Sequence, residues 1–93
     1  MPITVLLQLT AKPGEGDALA AALDAFLPDT RAFEGSLGVE ELRDLDNRDN
    51  LVVLERWRSR DDQAAYSAWR AEQGALGSIA ELLAGRPAMS FHE

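Results

Sequence analysis

An α+β domain is the fold class that the sequence predicts, and three observations lead to it. The chain has 93 residues, 46% of them hydrophobic and 27% charged, which suits one small globular domain covering residues 1–93. Short runs in which apolar residues occupy every second position alternate with longer runs in which they recur every three or four positions. Turn-forming residues separate the runs, and no repeat or low-complexity tract marks a second domain.

The N-terminal run predicts a strand from Ile3 to Thr10, because apolar residues alternate along it. One face consists of Ile3, Val5, Leu7 and Leu9. The other face is mixed but uncharged and consists of Thr4, Leu6, Gln8 and Thr10. A strand without a charged face is typical of a sheet covered on both sides, and the turn at Lys12–Gly14 ends it.

A helix is predicted to begin at about Gly16, because the apolar residues that follow share one helical face. These residues are Leu19, Leu23, Phe26 and Leu27. Pro28 is expected to end or kink the helix, a further turn is expected over residues 30–34, and Gly35 is the expected stop.

A β-hairpin is predicted next, with strands over residues 37–45 and 51–58. The intervening residues 46–50 are rich in Asp and Asn, which favour turns. One face of the second strand consists of Leu51, Val53, Glu55 and Trp57. This alternation places a carboxylate and an indole side by side on an otherwise apolar face.

The last third of the chain is predicted to contain a helix, a short helix and a strand. Ser59 and Asp62 have the spacing of a helix N-cap, and this helix is expected to run to about Gln73. A short helix is expected over residues 79–85, followed by a strand over residues 88–92. The resulting order, β-α-β-β-α-(α)-β, is the split βαβ or ferredoxin-like arrangement.

Composition excludes several classes of site and partner. The chain has no cysteine and one histidine, which excludes disulfides, thiolate catalysis, cysteine-based metal sites and a histidine-rich cluster. Its net charge of −7 disfavours nucleic acid and anionic membranes as partners. Without a long apolar run or a secretion signal, we expect a cytoplasmic protein. Because a domain this small buries a modest share of its surface, we also expect an oligomer.

Five short motifs follow one another through nearly the whole chain. They are Ile3–Leu9, Lys12-Pro13-Gly14, Thr30-Arg31-Ala32 with Gly35, Arg43-Asp44-Leu45-Asp46-Asn47 and Glu55-Arg56-Trp57. Together they resemble the antibiotic biosynthesis monooxygenase (ABM) family. This resemblance implies a ferredoxin-like dimeric α/β barrel, in which the sheets of a homodimer pack face to face. It also implies one of several activities: cofactor-free oxidation of phenols, quinol monooxygenation, haem degradation or isomerisation of small metabolites.

The haem-degrading branch of that family is excluded by the residues at its matching positions. Its members carry an asparagine in the first strand, a tryptophan in the helix after the third strand and an axial histidine about nine residues later. The corresponding residues here are Leu7, Tyr66 and Ala75, and none of them supplies that chemistry. The chain also lacks a glycine-rich phosphate loop, so we predict that it uses no cofactor.

A second branch, which oxidises phenols, retains the strand tryptophan that corresponds to Trp57. Some of its members carry an asparagine four residues earlier, where this chain has Val53, and many have a histidine where this chain has Tyr66. The resemblance therefore implies an aromatic pocket whose polar residues differ from those of the better-defined members.

The predicted substrate pocket lies between the sheet and the helices. The candidate substrate-binding residues are Trp57, Val53, Leu51, Trp69 and Arg43. Trp57 and Tyr66 are expected to wall the pocket, with Leu51 and Val53 on its floor. Trp57 would stack on a flat substrate, and the Tyr66 hydroxyl would bond the substrate hydroxyl. Core packing is the alternative for Trp57 and Tyr66 and the favoured interpretation for Trp69, since aromatic residues at helical spacing usually belong to a core.

The candidate catalytic residues are Tyr66, Glu55 and His92. Burial would raise the pKa of Glu55 and make it a general base, although a structural salt bridge to Arg31 or Arg43 is the alternative. His92 is a second candidate, because an imidazole is a common proton-transfer group, while its place beside the C-terminus is also that of an exposed residue.

The resemblance, taken with these candidate residues, implies a cofactor-independent monooxygenase that oxidises a phenolic, quinol or polycyclic aromatic small molecule with molecular oxygen. In such a reaction the substrate anion itself reduces oxygen, so neither flavin nor metal is required. Two alternatives remain open at this point. One is an isomerase or cyclase that uses the same pocket without oxygen, and the other is a non-catalytic ligand-binding or regulatory dimer.

Overall fold

The computed structural model describes residues 1–74 and 76–93, which form a four-stranded sheet with helices packed on one face. The strands are β1 (Ile3–Thr10), β2 (Ser36–Arg43), β3 (Asn50–Trp57) and β4 (Ala88–His92). The helices are α1 (Gly16–Asp24), α2 (Leu27–Ala32), α3 (Arg60–Gln73) and α4 (Leu76–Ala80). This order confirms the predicted α+β, ferredoxin-like fold.

The sheet is antiparallel throughout, and its spatial order β2-β3-β1-β4 places β1 and β3 at the centre. Ile3 lies opposite Trp57, and Thr10 lies opposite Asn50, so the two central strands pair over their full lengths. Because directly opposite residues share a face, the apolar faces predicted for the two strands coincide. The helices cover this common face.

Two groups of buried side chains hold the helices on the sheet. The larger group consists of Leu9, Ala11, Leu19, Leu23, Val39, Leu51, Val53 and Ile79. The smaller group consists of Val5, Trp57 and Tyr66, with Ile3, Phe33, Trp69 and Phe91 packed against it. Members of both groups line the cavity that forms the candidate site.

Capping and one close approach fix the position of α3 over the sheet. The Ser59 hydroxyl accepts a hydrogen bond of 3.2 Å from the backbone N–H of Asp62, which confirms the predicted N-cap. Gly74 ends the helix with a left-handed φ of 69°. Gly35, with a φ of 90°, lies so close to Asp62 that a Cβ at this position would overlap the carboxylate.

Two helix boundaries differ from the sequence prediction. Pro28 lies in the first turn of α2 rather than ending the helix before it, because a proline there needs no partner for its missing N–H. The short helix α4 ends at Ala80 and does not continue to residue 85. From Leu82 onward the backbone instead bonds to the end of β1, and Leu83 forms a bridge with Ala11.

The face of the sheet opposite the helices has an apolar centre. Leu6, Val52 and Leu54 are half-buried there, and Leu42 is 46% exposed. This outer face agrees with the prediction that β1 lacks a charged face. Among the helices of the described residues, none has the length and apolar character needed to cross a bilayer.

Candidate functional site

A cavity of about 310 Å³ lies between the helices and the inner face of the sheet. Most of its lining is apolar and includes Leu7, Leu9, Leu23, Phe26, Val53 and Met89. Its polar lining residues are Thr30, Glu55, Gln63, Tyr66, Ser67 and Arg70. This volume is at the small end of the range for ligand pockets, about 300 to 1,000 Å³. The cavity therefore suits a small, flat and largely apolar molecule.

Glu55 is the acidic residue that lines the cavity, and it is 7% exposed. Its Oε1 accepts a hydrogen bond of 2.9 Å from Nε1 of Trp57, two residues along the same strand face. Burial raises the pKa of Glu55, while the bond from Trp57 and the positive charge of Arg70 oppose that rise. Within residues 1–74 and 76–93, no donor bonds to Oε2, so one carboxyl oxygen remains available to a ligand.

A hydrogen-bonded group formed by Thr30, Tyr66 and Arg70 makes up another polar part of the lining. The Tyr66 hydroxyl lies 2.5 Å from the Thr30 hydroxyl and accepts a 2.8 Å bond from Nε of Arg70. Thr30 also donates to the carbonyl of Phe26 at 3.0 Å. This group joins α2 to α3 and fixes the orientation of the Tyr66 ring. The Tyr66 hydroxyl therefore already has two protein partners, whereas the sequence analysis expected it to bond the substrate.

Arg70 is 5% exposed, although it carries a permanent positive charge. Its Nη2 donates to the Phe26 carbonyl at 2.8 Å and to the Thr30 hydroxyl at 3.2 Å. Its guanidinium lies 4.5 Å from the centre of the Phe26 ring and 4.9 Å from that of Trp69. Its Nη1 lies 3.9 Å from Oδ2 of Asp29, which is beyond hydrogen-bonding distance.

The structure places Trp57 behind the cavity, which corrects the expectation that its ring forms the wall. Trp57 is fully buried, and its ring centre lies 5.0 Å from that of Tyr66 and 6.2 Å from that of Phe33. With both of these rings packed against it, the indole has no exposed surface on which a substrate could stack. Trp57 nevertheless contributes to the site, because its N–H holds the Glu55 carboxylate.

Four other predicted site residues do not line the cavity. Leu51 is fully buried in the larger core group. Arg43 pairs with Asp17 at 2.8 Å and donates to the carbonyl of Arg48, so it fastens α1 to the hairpin. Exposed His92 lies 2.8 Å from the Ser90 hydroxyl. Trp69 packs against Phe33 with ring centres 5.4 Å apart. Of the predicted residues, Val53, Glu55 and Tyr66 line the cavity together.

Sequence reasoning missed Thr30, Gln63, Ser67 and Arg70 as cavity residues. The spacing of Tyr66 and Arg70, one helical turn apart, is a usable signal that both face the sheet. The pairing of Gln63 with Ser67 at 2.8 Å follows the same spacing. Thr30 has no such signal, because its contact with Tyr66 joins residues 36 positions apart.

Replacing Tyr66 with Phe is expected to lower the free energy of unfolding by about 1 to 3 kcal/mol. The change leaves the buried Thr30 hydroxyl and Arg70 guanidinium without their hydrogen bonds to Tyr66. This corrects the sequence-based expectation that the Tyr66 hydroxyl is free to bond only a substrate. Denaturant unfolding of Tyr66→Phe and of the unaltered protein measures the loss. An unfolding free energy equal to that of the unaltered protein would contradict the hydrogen-bonded group.

A carboxyl pair outside the cavity joins β2 to α1. Burial raises the pKa of Glu41 to about 7, and a hydrogen bond to Asp24 and the negative charge of Asp24 add to the rise, while Arg43 opposes it. Oε2 of Glu41 is buried, and no donor bonds to it in the part of the chain that the structure describes. Strand alternation predicts that Glu40 and Glu41 lie on opposite faces of β2. The contact between Glu41 and Asp24 depends on the packing of α1 on the sheet and was not predictable from the sequence.

This pair predicts that folding stability falls as the pH rises from 4.5 to about 7, because the folded state then holds a proton that the unfolded state has lost. Glu41→Gln removes the effect. We expect the variant to be more stable than the unaltered protein by about 1 kcal/mol at about pH 8, allowing for solvent screening, and equally stable at about pH 4. Thermal unfolding across this range tests it. Glu72→Gln, which removes an exposed carboxylate from α3, is the control, and an equal gain from it would contradict the assignment.

Comparison with known families identifies the domain. The family model described as "Antibiotic biosynthesis monooxygenase" matches residues 2–76. No curated protein sequence matches the chain.

Solved structures share the whole fold. Rv0793 from Mycobacterium tuberculosis is 27% identical, with a TM-score of 0.87 over 100% of this chain and 94% of that one. A conserved protein from Methanosarcina mazei is 16% identical, with a TM-score of 0.89 over 100% and 92% of the two chains. A variant of SnoaB, a cofactor-independent oxygenase from Streptomyces nogalater, is 13% identical, with a TM-score of 0.85 over 99% and 91%. At these last two identities the likeness shows the fold alone.

Proposed function

The chain belongs to the antibiotic biosynthesis monooxygenase family, and on that premise we propose that it is a cofactor-independent monooxygenase acting on a small phenol or quinol. One observation carries the proposal: the buried Glu55 carboxylate lines an apolar cavity and retains an oxygen without a donor among the described residues. A carboxylate with a raised pKa in a cavity is suited to accept a proton from a ring hydroxyl.

The reaction begins when Oε2 of Glu55 takes the proton of the bound hydroxyl. The resulting ring anion is electron-rich, and it transfers electrons to molecular oxygen. One oxygen atom enters the ring and the other leaves as water, so a quinol that becomes a hydroxyquinone supplies all of the electrons. The apolar lining excludes water, which protects the reactive anion and strengthens the electrostatic interactions around it.

Trp57 acts as a positioning residue in this scheme. Its Nε1–H donates to Oε1 of Glu55 at 2.9 Å. This bond fixes the orientation of the carboxylate and leaves Oε2 to accept the substrate proton. The cavity volume of about 310 Å³ favours one- or two-ring phenols and quinols over larger polycyclic compounds.

Haem does not fit the residues of this cavity. The lining has Leu7 and Tyr66 at the positions where haem-degrading relatives carry an asparagine and a tryptophan. Ala75, at the position of their axial histidine, lies outside the described residues and carries no imidazole. His92 is exposed and bonded to Ser90, away from the lining. No step of the proposed reaction passes through a haem group.

Oxygen consumption tests the proposal directly. Chelator-treated, flavin-free protein is mixed with a panel of hydroquinones and anthrones in an oxygen electrode, and the uptake is compared with that of buffer alone. We expect uptake with the one- and two-ring members. Turnover of a panel member without oxygen uptake would replace the monooxygenase with an isomerase or cyclase. Binding without turnover would leave a ligand-binding dimer.

We also propose that a second copy of the chain covers the outer face of the sheet. The apolar centre formed by Leu6, Val52 and Leu54 is only half-buried in one copy, and Leu42 beside it is exposed. Such a face suits an obligate interface between two sheets, and a second copy would add core to a small domain.

Sedimentation measures this assembly. We expect a species of twice the 10.1 kDa chain mass at micromolar concentration. Leu54→Lys places two like charges at the centre of the interface and is expected to yield the single chain. Ala64→Lys, on the exposed side of α3, adds the same charge and is expected to leave the dimer intact. A single-chain mass for the unaltered protein would contradict the proposed interface.

A further inference from the structure

Arg70 is a buried cation whose charge is incompletely paired. Asp29 is the one acid within an ion-pair distance of its guanidinium among the described residues, and it is 66% exposed with a separation of 3.9 Å. A buried charge without a close counter-ion is costly, and a ligand that brings a negative charge would offset that cost. Asp29 and, across the cavity, Glu55 therefore compensate the charge of Arg70 only in part, and an anionic ligand in the cavity would add to that compensation.

The guanidinium is held in one orientation by three hydrogen bonds. Nε is used by Tyr66, and Nη2 is used by Thr30 and the Phe26 carbonyl. Nη1 makes no hydrogen bond within residues 1–74 and 76–93. Because Arg70 lines the cavity and its other donors are occupied, Nη1 is the donor left for a ligand oxygen.

Charge balance in the cavity links Arg70 to Glu55. These are the two charged side chains of the described lining, from α3 and β3, and Tyr66 is the other titratable one. Before the reaction, Glu55 is negative and the ring hydroxyl is neutral. After proton transfer, Glu55 is neutral and the ring oxygen is negative. Arg70 offsets the one negative charge in both states, so the apolar cavity is neutral overall before and after the transfer, and Arg70 can stabilise the ring anion as it forms.

We propose that Arg70, held by Tyr66 and Thr30, forms an oxyanion subsite, and that the cavity selects ring compounds whose acidic hydroxyl binds as the phenolate or enolate anion. The proposal rests on the proposed function for the identity of the ring hydroxyl, and it adds the charge state in which the ligand is held. It predicts that phenols with a delocalised conjugate base bind more tightly than neutral ring compounds of the same size.

A spectroscopic titration without oxygen tests this subsite separately from turnover. The probe is para-nitrophenol, whose anion absorbs visible light. In the presence of excess protein, we expect the bound probe to ionise at a pH lower by about 1 unit or more than the free probe, as an adjacent cation requires. Nitrobenzene, which has no hydroxyl, is expected to bind at least about tenfold more weakly.

Variants at Arg70 distinguish the subsite from a general effect of burial. Arg70→Gln is expected to abolish the shift in probe ionisation, and Arg70→Lys is expected to restore part of it because it returns the charge without the fork of donors. Arg60→Gln removes a positive charge from the exposed start of α3, above the Phe91 ring, and is expected to leave the shift unchanged.

Each outcome of the titration decides the proposal. A bound probe that ionises at the pH of the free probe, or at a higher pH, overturns it, and this measurement needs only the unaltered protein. The same conclusion follows if folded Arg70→Gln retains the full shift. A shift in probe ionisation without oxygen uptake supports the oxyanion subsite and contradicts the monooxygenase activity. Oxygen uptake without a shift supports the monooxygenase activity and contradicts the subsite.

Discussion

Glu55→Gln is expected to lower the rate of oxygenation by about 100- to 10,000-fold, which is the usual contribution of a positioned general base. The amide has the shape of the carboxylate, and its oxygen still accepts the Trp57 N–H, so the cavity keeps its form. The loss should appear in kcat more than in KM, because the variant binds the neutral substrate but does not take its proton.

The pH dependence of the rate gives a second readout of the same residue. Burial raises the pKa of Glu55 above 4.5, so the acid limb of the rate profile should lie above that pH in the unaltered protein. The limb should disappear in Glu55→Gln. Glu72→Gln removes an exposed carboxylate from α3 and should preserve both rate and profile. A Glu55→Gln variant that turns over at the unaltered rate would show that another group removes the proton.

Trp57→Ala is expected to lower the free energy of unfolding by about 3 to 5 kcal/mol, the usual cost of truncating a fully buried aromatic residue. The side chain belongs to the smaller core group, in which Phe33 and Tyr66 pack on it. Its removal also leaves Oε1 of Glu55 buried without a donor, which adds to the cost.

Trp57→Phe separates these two effects. It retains much of the ring volume and removes the N–H, so it should cost less stability than Trp57→Ala while still lowering the rate of oxygenation through Glu55. Chemical denaturation and oxygen uptake, measured on both variants, give the two quantities. If Trp57→Phe retains the full rate, the bond to Glu55 does not position the base.

The fold followed from the sequence because its determinants are local. Alternation along residues 3–10 and 51–58 defines the inner face of the sheet, and Ser59 with Asp62 defines the start of α3. The boundary at Pro28 was misjudged because a proline is compatible with both the end of one helix and the first turn of the next.

The candidate site was only partly predictable, because its geometry depends on contacts between distant residues. Alternation correctly placed Trp57 and Glu55 on the helix side of β3. It did not reveal that Phe33, from the segment after α2, would pack on the indole and leave Trp57 behind the cavity. The same holds for Thr30 and Arg70, which are brought together by the packing of α2 against α3.

Incorporation of isotope-labelled oxygen tests the central claim of a cofactor-independent monooxygenase most directly. Metal-free and flavin-free protein is supplied with labelled molecular oxygen and the best quinol from the uptake panel, and the product is analysed by mass spectrometry. We predict one labelled oxygen atom in each product molecule and the other in water, with the yield falling in Glu55→Gln as the rate does. Product that carries no label, or a labelled yield unchanged in Glu55→Gln, would contradict the account.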